Sequence, residues 1–188
     1  MSQLRIYQET QPQASLATYA QHADIARELG RVGVRFERWE ATQPVVPGAS
    51  QDEVITAYRS DIDRLMREKG YQSVDVISLT PDHPDRAALR KKFLSEHTHS
   101  EDEVRFFVAG AGQFTLHIGE KIYEVLCESG DLIGVPDRTP HWFDMSDAPY
   151  FIAIRLFTSK EGWVAEFTGA DIAERFPRMA PRRSTQVA

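Results

Sequence analysis

The sequence predicts a mainly β domain, an antiparallel sandwich or barrel, with helices drawn mostly from the N-terminal half. Two observations carry this. From residue 103 onward, short apolar segments follow one another: EVRFFVAG, GQFTLHIG, KIYEVLCE, DLIGVP, HWFDM and YFIAIRLF. Gly110, Gly112, Gly119, Gly130, Pro136 and Pro149 punctuate them, the pattern of short strands joined by close turns. Before residue 103, helical and strand periods alternate. A length of 188 residues suits one domain with a substantial core and is short for two. We expect a single domain over 1–178, its barrel core at about 95–160, and a flexible tail over 179–188.

The elements follow in order. LRIYQE (4–9) reads as a short strand. Residues 21–30 read as a helix closing at Gly30, and VRFERWE (34–40) alternates like a second strand. Pro44, Pro47 and Gly48 mark 41–50 as a loop. Ser50 and Glu53 have capping-box spacing. Val54, Ile55, Tyr58, Ile62, Leu65 and Met66 then recur at helical spacing, a core-facing stripe that Gly70 closes. YQSVDVISLT (71–80) is strand-like. Residues 85–94 form a short helix with a basic exposed face, and 170–176 a final helix.

Composition narrows the function. A net charge of −6 and a pI near 5.5 lack the basic surface that nucleic acid requires. No apolar run approaches a membrane span. The N-terminus shows no secretory pattern, and the single cysteine, Cys127, makes no internal disulfide. Both features point to the cytoplasm. Cys127 lies in an alternating segment and reads as a core thiol.

The chemistry concentrates in EHTHSEDEVRF (96–106). Side chains two apart on a strand share a face, so His97, His99, Glu103 and Arg105 line one side if the stretch is extended. Two imidazoles and a carboxylate can then converge on one metal ion. A fourth donor, His141, sits in a segment stiffened by Pro136 and Pro140. Histidines in a turn are often merely solvated, and an acid run is often only surface charge. The recurrence of His-x-His, a glutamate four residues on and a later Pro-His favours metal. Glu101 has the same parity as Glu103, and alternation leaves both as candidates. Asp102 points the other way, as a charge at the start of the strand. His22, His83 and His117 lack partners at ligand spacing and read as surface or structural.

His97-Thr-His99-x3-Glu103-x6-Gly110 resembles the first motif of the cupin superfamily, and Gly130-x5-Pro136-x4-His141 resembles the second. The second copy departs from the usual pattern. Arg138 stands where a glycine is usual, and Met145 where an asparagine is. HTHSEDEVRFFVAGAGQFTLHI and VPDRTPHWFDM are similar to the acireductone dioxygenase family of bacterial methionine salvage, and the likeness runs from LRIY to the Trp163 region.

The resemblance implies a cupin-type antiparallel barrel (jelly roll) with metal ligands His97, His99, Glu103 and His141, choosing Glu103 over Glu101. It implies that Arg105 helps form the substrate dianion, and that Glu96 and Asp102 affect metal loading and local conformational change. Phe93, Phe143 and Trp163 are candidates for an apolar pocket around a thioether tail. Arg155, a charge inside FIAIRLF, either lines that cavity or pairs with a buried acid.

The implied substrates are an acireductone, an enediol beside a ketone, and O2. The implied cofactor is one Fe2+ or Ni2+ per chain. Imidazole and carboxylate also accept Mn2+, Co2+ or Zn2+. Iron implies formate and 4-methylthio-2-oxobutanoate; nickel implies methylthiopropanoate, formate and carbon monoxide. The family also implies a monomer. Another metal-dependent cupin enzyme (a different dioxygenase, a decarboxylase or a sugar isomerase) and a ligand-sensing cupin are the competing readings.

Overall fold

The computed structural model describes residues 1–159 and 164–180. β1 (Gln3–Gln8) and β2 (Ser15–Tyr19) form a hairpin, followed by α1 (His22–Gly30) and β3 (Arg35–Arg38). Next come α2 (Gln51–Ala57), α3 (Arg59–Lys69), β4 (Ser73–Leu79) and α4 (Arg86–Phe93). The barrel strands are β5 (His97–Thr98), β6 (Glu103–Ile118), β7 (Lys121–Glu128), β8 (Asp131–Val135), β9 (His141–Asp144) and β10 (Phe151–Phe157). β11 (Glu166–Phe167) and α5 (Ile172–Arg175) follow. No helix of the described residues is long and apolar enough to cross a membrane.

All strand pairings are antiparallel and fall into two sheets that share β6. One sheet runs β11-β5-β9-β6-β7-β1-β2, the other β3-β8-β6-β10-β4. β6 makes this possible because it is one strand of 16 residues, not the two that its glycines suggest. Its first half pairs with β8 and β10, its second with β7 and β9. The change of sheet occurs at a bulge, where Ile152 faces Ala109 and Ala153 faces Phe107. Gly110 next to it has φ +69, and a Cβ there would lie 1.8 Å from the Tyr150 carbonyl oxygen. Glycine is required here for the bend and the close approach, which in sequence resemble a turn.

Both faces of the first half of β6 are covered. Val104, Phe106 and Val108 face outward and pack with Val54, Tyr58, Ile62 and Leu65 of the helices. Phe107 faces inward with Phe114, Phe143 and Phe151. The helix expected over 50–70 is two helices meeting at Tyr58, whose φ/ψ of −104/18 leaves the helical region. The apolar stripe stays in phase across the break, so its period did not betray it. Ser50 and Glu53 do form the capping box, with the Ser50 N–H donating to Glu53 Oε2 at 2.8 Å. Gly70 closes α3 in the left-handed region. Cys127 is fully buried, and burial pushes its thiol well above its ordinary pKa.

The final turn is held to the barrel. Met179, within the tail expected to be flexible, is buried and its N–H donates to Asp144 Oδ2 at 2.9 Å. Residues 181–188 of that tail lie outside the described residues.

Candidate metal centre

The four expected ligands come from four structural settings. His97 is in the two-residue strand β5, His99 in the loop after it, Glu103 at the start of β6, and His141 at the start of β9. The stretch 97–107 is therefore not one continuous strand, although the groups still converge. His97 pairs with His141 across β5 and β9, and His141 with Leu116 across β9 and β6. The loop carrying His99 is pinned from outside: the Arg138 N–H donates to the His99 carbonyl at 2.8 Å. Arg138 has φ +55, a conformation that favours glycine, which accounts for the glycine usual at that position.

One donor atom from each of His97, His99, Glu103 and His141 lies within 4.8 Å of all the others, and all four residues are buried. The imidazoles are oriented through their other nitrogens. Nδ1 of His97 faces the Ser95 carbonyl at 2.7 Å, Nδ1 of His99 the Val164 carbonyl at 3.0 Å, and Nδ1 of His141 the Thr139 carbonyl at 2.7 Å. A carbonyl only accepts, so each Nδ1 carries the hydrogen and each Nε2 presents a lone pair to the centre. This is the support that metal-binding histidines receive.

Charge completes the argument for a cation. Burial, with the neighbouring His141, pushes the His97 imidazole down to about 4, so it is neutral near pH 7. Burial opposes ionisation of Glu103, but the Arg105 guanidinium beside it overcomes this and holds the carboxyl well below the usual carboxylate range. Glu103 Oε2 lies 2.9 Å from His141 Nε2 and 3.1 Å from His99 Nε2. Lone pairs and a carboxylate that face each other in a buried space repel. A divalent ion at their centre relieves all four at once, so the donor set fits a metal.

Arg105 is buried, with Nε 2.6 Å from Glu103 Oε1. Its partner is thus the buried last acid of the 100–103 run, which belongs to the metal cluster. Burial lowers its pKa and Glu103 opposes that; a guanidinium stays charged through such shifts. The guanidinium carbon stands 4.6 Å from the Phe143 ring centroid, 4.9 Å from Phe114 and 5.9 Å from Phe93. Phe93 and Phe143 meet edge to face. Phe114 was not among the expected pocket residues, because the bulge in β6 inverts the alternation: odd positions face inward before it, even positions after.

On β10, Arg155 lies directly opposite Arg105 of β6 and Asp75 of β4, so the three share a face. Its Nε donates to Asp75 Oδ1 at 2.6 Å, and both side chains remain partly exposed. Arg155 thus shares a face with Arg105 and pairs with an acid that is only half buried. Trp163 lies outside the described residues.

The remaining acids have other work. Glu101 accepts from the N–H and hydroxyl of both Thr158 and Ser159. Asp102 is exposed and accepts from the Asp137 N–H at 3.0 Å. Glu96 is buried, accepts from the Thr168 hydroxyl at 2.8 Å, and lies 3.0 Å from Nδ1 of His117. His117 also faces Glu9 at 2.9 Å and is structural, as is His22, which stacks on Phe36.

The family model for ARD/ARD′ matches residues 3–165. The chain belongs to the acireductone dioxygenase family. An acireductone dioxygenase of Stenotrophomonas maltophilia K279a is 61% identical over 185 residues, covering 98% of this chain and all of the relative. One from Pseudomonas aeruginosa UCBPP-PA14 is 62% identical over 177 residues, covering 94% and 98% of the two chains. Among solved structures, an acireductone dioxygenase from Bacillus anthracis with a cadmium ion in its active centre superposes with a TM-score of 0.78. It is 30% identical and covers 89% of this chain and 98% of its own. The cupin-type barrel expected from the sequence is thus the fold of the acireductone dioxygenase family, and the chain carries a four-residue metal-binding group within it.

Proposed function

We propose that the chain cleaves an acireductone with O2 at one divalent metal held by His97, His99, Glu103 and His141. The observation that carries this reading is the buried cluster of three lone pairs and a carboxylate, with a fixed guanidinium beside it. The cadmium in the Bacillus anthracis relative supports a metal at the same kind of centre. When bound, the metal acts as a Lewis acid, lowering the proton affinity of the enediol oxygens that reach it.

The chain's own groups supply the rest. Arg105 places a permanent positive charge where the substrate carries its second negative charge, which favours the dianion. Phe93, Phe114 and Phe143 form an apolar surface around that charge, suited to a thioether tail and to excluding water. Arg155 stands nearer the exterior on the same face and guides the anion inward.

With iron the products are formate and 4-methylthio-2-oxobutanoate, and with nickel methylthiopropanoate, formate and carbon monoxide. The donor set accepts either ion, and nickel binds more tightly at equal supply, so availability decides. The protein acts as a cytoplasmic monomer. The test is anaerobic preparation of the metal-free protein, loading with each ion, and product analysis. Formate with the keto acid from the iron form, and carbon monoxide from the nickel form alone, are expected. Identical products from both would remove the metal-dependent part of the proposal.

A further inference from the structure

We propose that Glu101 is a positioning residue of the metal centre, acting as a clasp between the His99–Glu103 loop and the end of β10 at Thr158 and Ser159. Parity leaves Glu101 as a rival of Glu103 for the metal, yet both its oxygens are engaged elsewhere. Oε2 accepts from the Thr158 N–H at 2.7 Å, the Thr158 hydroxyl at 2.6 Å and the Ser159 N–H at 2.9 Å. Oε1 accepts from the Ser159 hydroxyl at 2.9 Å. Four donors on one carboxylate form a strong local anchor, since hydrogen bonds to a charged acceptor are the stronger kind.

The anchor matters because of where it sits, between two groups of the metal cluster. The Val164 carbonyl faces Nδ1 of His99 at 3.0 Å and sets the direction of that imidazole. On the far side, β11 pairs with β5, and the Thr168 N–H donates to the Glu96 carbonyl at 3.1 Å. The 96–101 stretch that carries His97 and His99 is therefore held at both ends, by Thr158 and Ser159 at Glu101 and by β11 and Thr168 at its start. Glu101 lies two residues after His99 and two before Glu103. The clasp fixes the backbone between these two donors, and so where each points.

This inference rests on the metal reading of the four-residue cluster. Its test is Ni2+ affinity, measured by competition with a chelating indicator, with circular dichroism and thermal unfolding of the metal-free proteins as controls. Glu101→Ala is expected to keep the fold and weaken Ni2+ binding by about 10-fold or more, the usual effect of losing support behind a metal-binding histidine. Glu101→Gln keeps an oxygen for the N–H groups and is expected to restore most of the affinity. Thr158→Val with Ser159→Ala removes two of the donors and is expected to fall between. Combined with Glu101→Ala, it should weaken binding no further, because the groups act as one unit. A folded Glu101→Ala that binds Ni2+ as tightly as the parent overturns the clasp. So does equal weakening by Glu101→Gln, which would assign the effect to charge. Should Glu101→Ala not fold, unchanged affinity in the Thr158/Ser159 variant overturns it. Failure of the parent to bind Ni2+ would overturn the metal reading itself.

Discussion

At Glu103 a single carboxylate faces two imidazoles through one oxygen and a guanidinium through the other. Its loss should therefore remove the ligand charge and leave Arg105 buried beside neutral groups. We expect Glu103→Ala to weaken metal binding at least about 100-fold, the upper range for disturbing a metal site, as read by equilibrium dialysis. Arg105→Ala separates chemistry from binding. Its metal content should match the parent while kcat falls about 10²–10³-fold, the cost of losing a charge that stabilises the reacting anion. Loss of metal together with activity would make Arg105 a support for Glu103 alone. At this scale the four-residue cluster was legible, since His-x-His and the following glutamate lie within one short stretch. The division between Glu101 and Glu103 was not. Both have the same parity, and what separates them is a set of donors at 158–159, far along the chain. Phe114 stayed hidden for a related reason: it lies beyond a bulge across which alternation cannot be carried.

At the scale of elements, β6 carries much of the architecture. It gives one end to the metal cluster, bends at Gly110, and ends in the other sheet. Gly112 contributes by leaving room: a Cβ there would lie 2.4 Å from the Phe143 ring. Gly110→Ala should cost about 3 kcal/mol of stability, since backbone must move to admit it, and denaturant unfolding would measure this. The sequence shows strands on both sides of these glycines but not that they are one strand, because bend and turn use the same residue. The β1–β7 pair offers a pH test. Burial raises the pKa of Glu124, with Arg5 beside it opposing the rise. The folded chain thus holds that proton more tightly than the unfolded chain. Stability from Glu124 is greatest below its unfolded pKa of about 4.3 and is lost as pH rises through the folded value. Glu124→Gln should therefore gain thermal stability relative to the parent as pH increases above that point. A constant difference across the range would refute the assignment.

At the scale of the molecule, the metal cluster ties together parts of the chain that the barrel brings close, the 97–103 stretch and the start of β9. Metal that binds only this arrangement must stabilise the whole fold. At a free concentration about 1,000 times its Kd, the gain is about 4 kcal/mol. Thermal unfolding with saturating Ni2+ and then with excess chelator should show this difference, and Glu103→Ala should abolish it. The barrel class was legible from its run of short apolar segments, and the N-terminal helices from their period. The sharing of β6 between sheets depends on pairing across the molecule, which local pattern does not encode, and the hairpin strand β2 is mostly exposed and shows no buried apolar face.

An oxygen electrode shows whether this cluster activates an acireductone toward oxygen. Iron-loaded protein, with about one ion per chain, should consume O2 on addition of an acireductone. Metal-free protein and Glu103→Ala should not exceed the uncatalysed rate. Fully loaded, folded protein that consumes no oxygen above that rate with either iron or nickel would contradict the account.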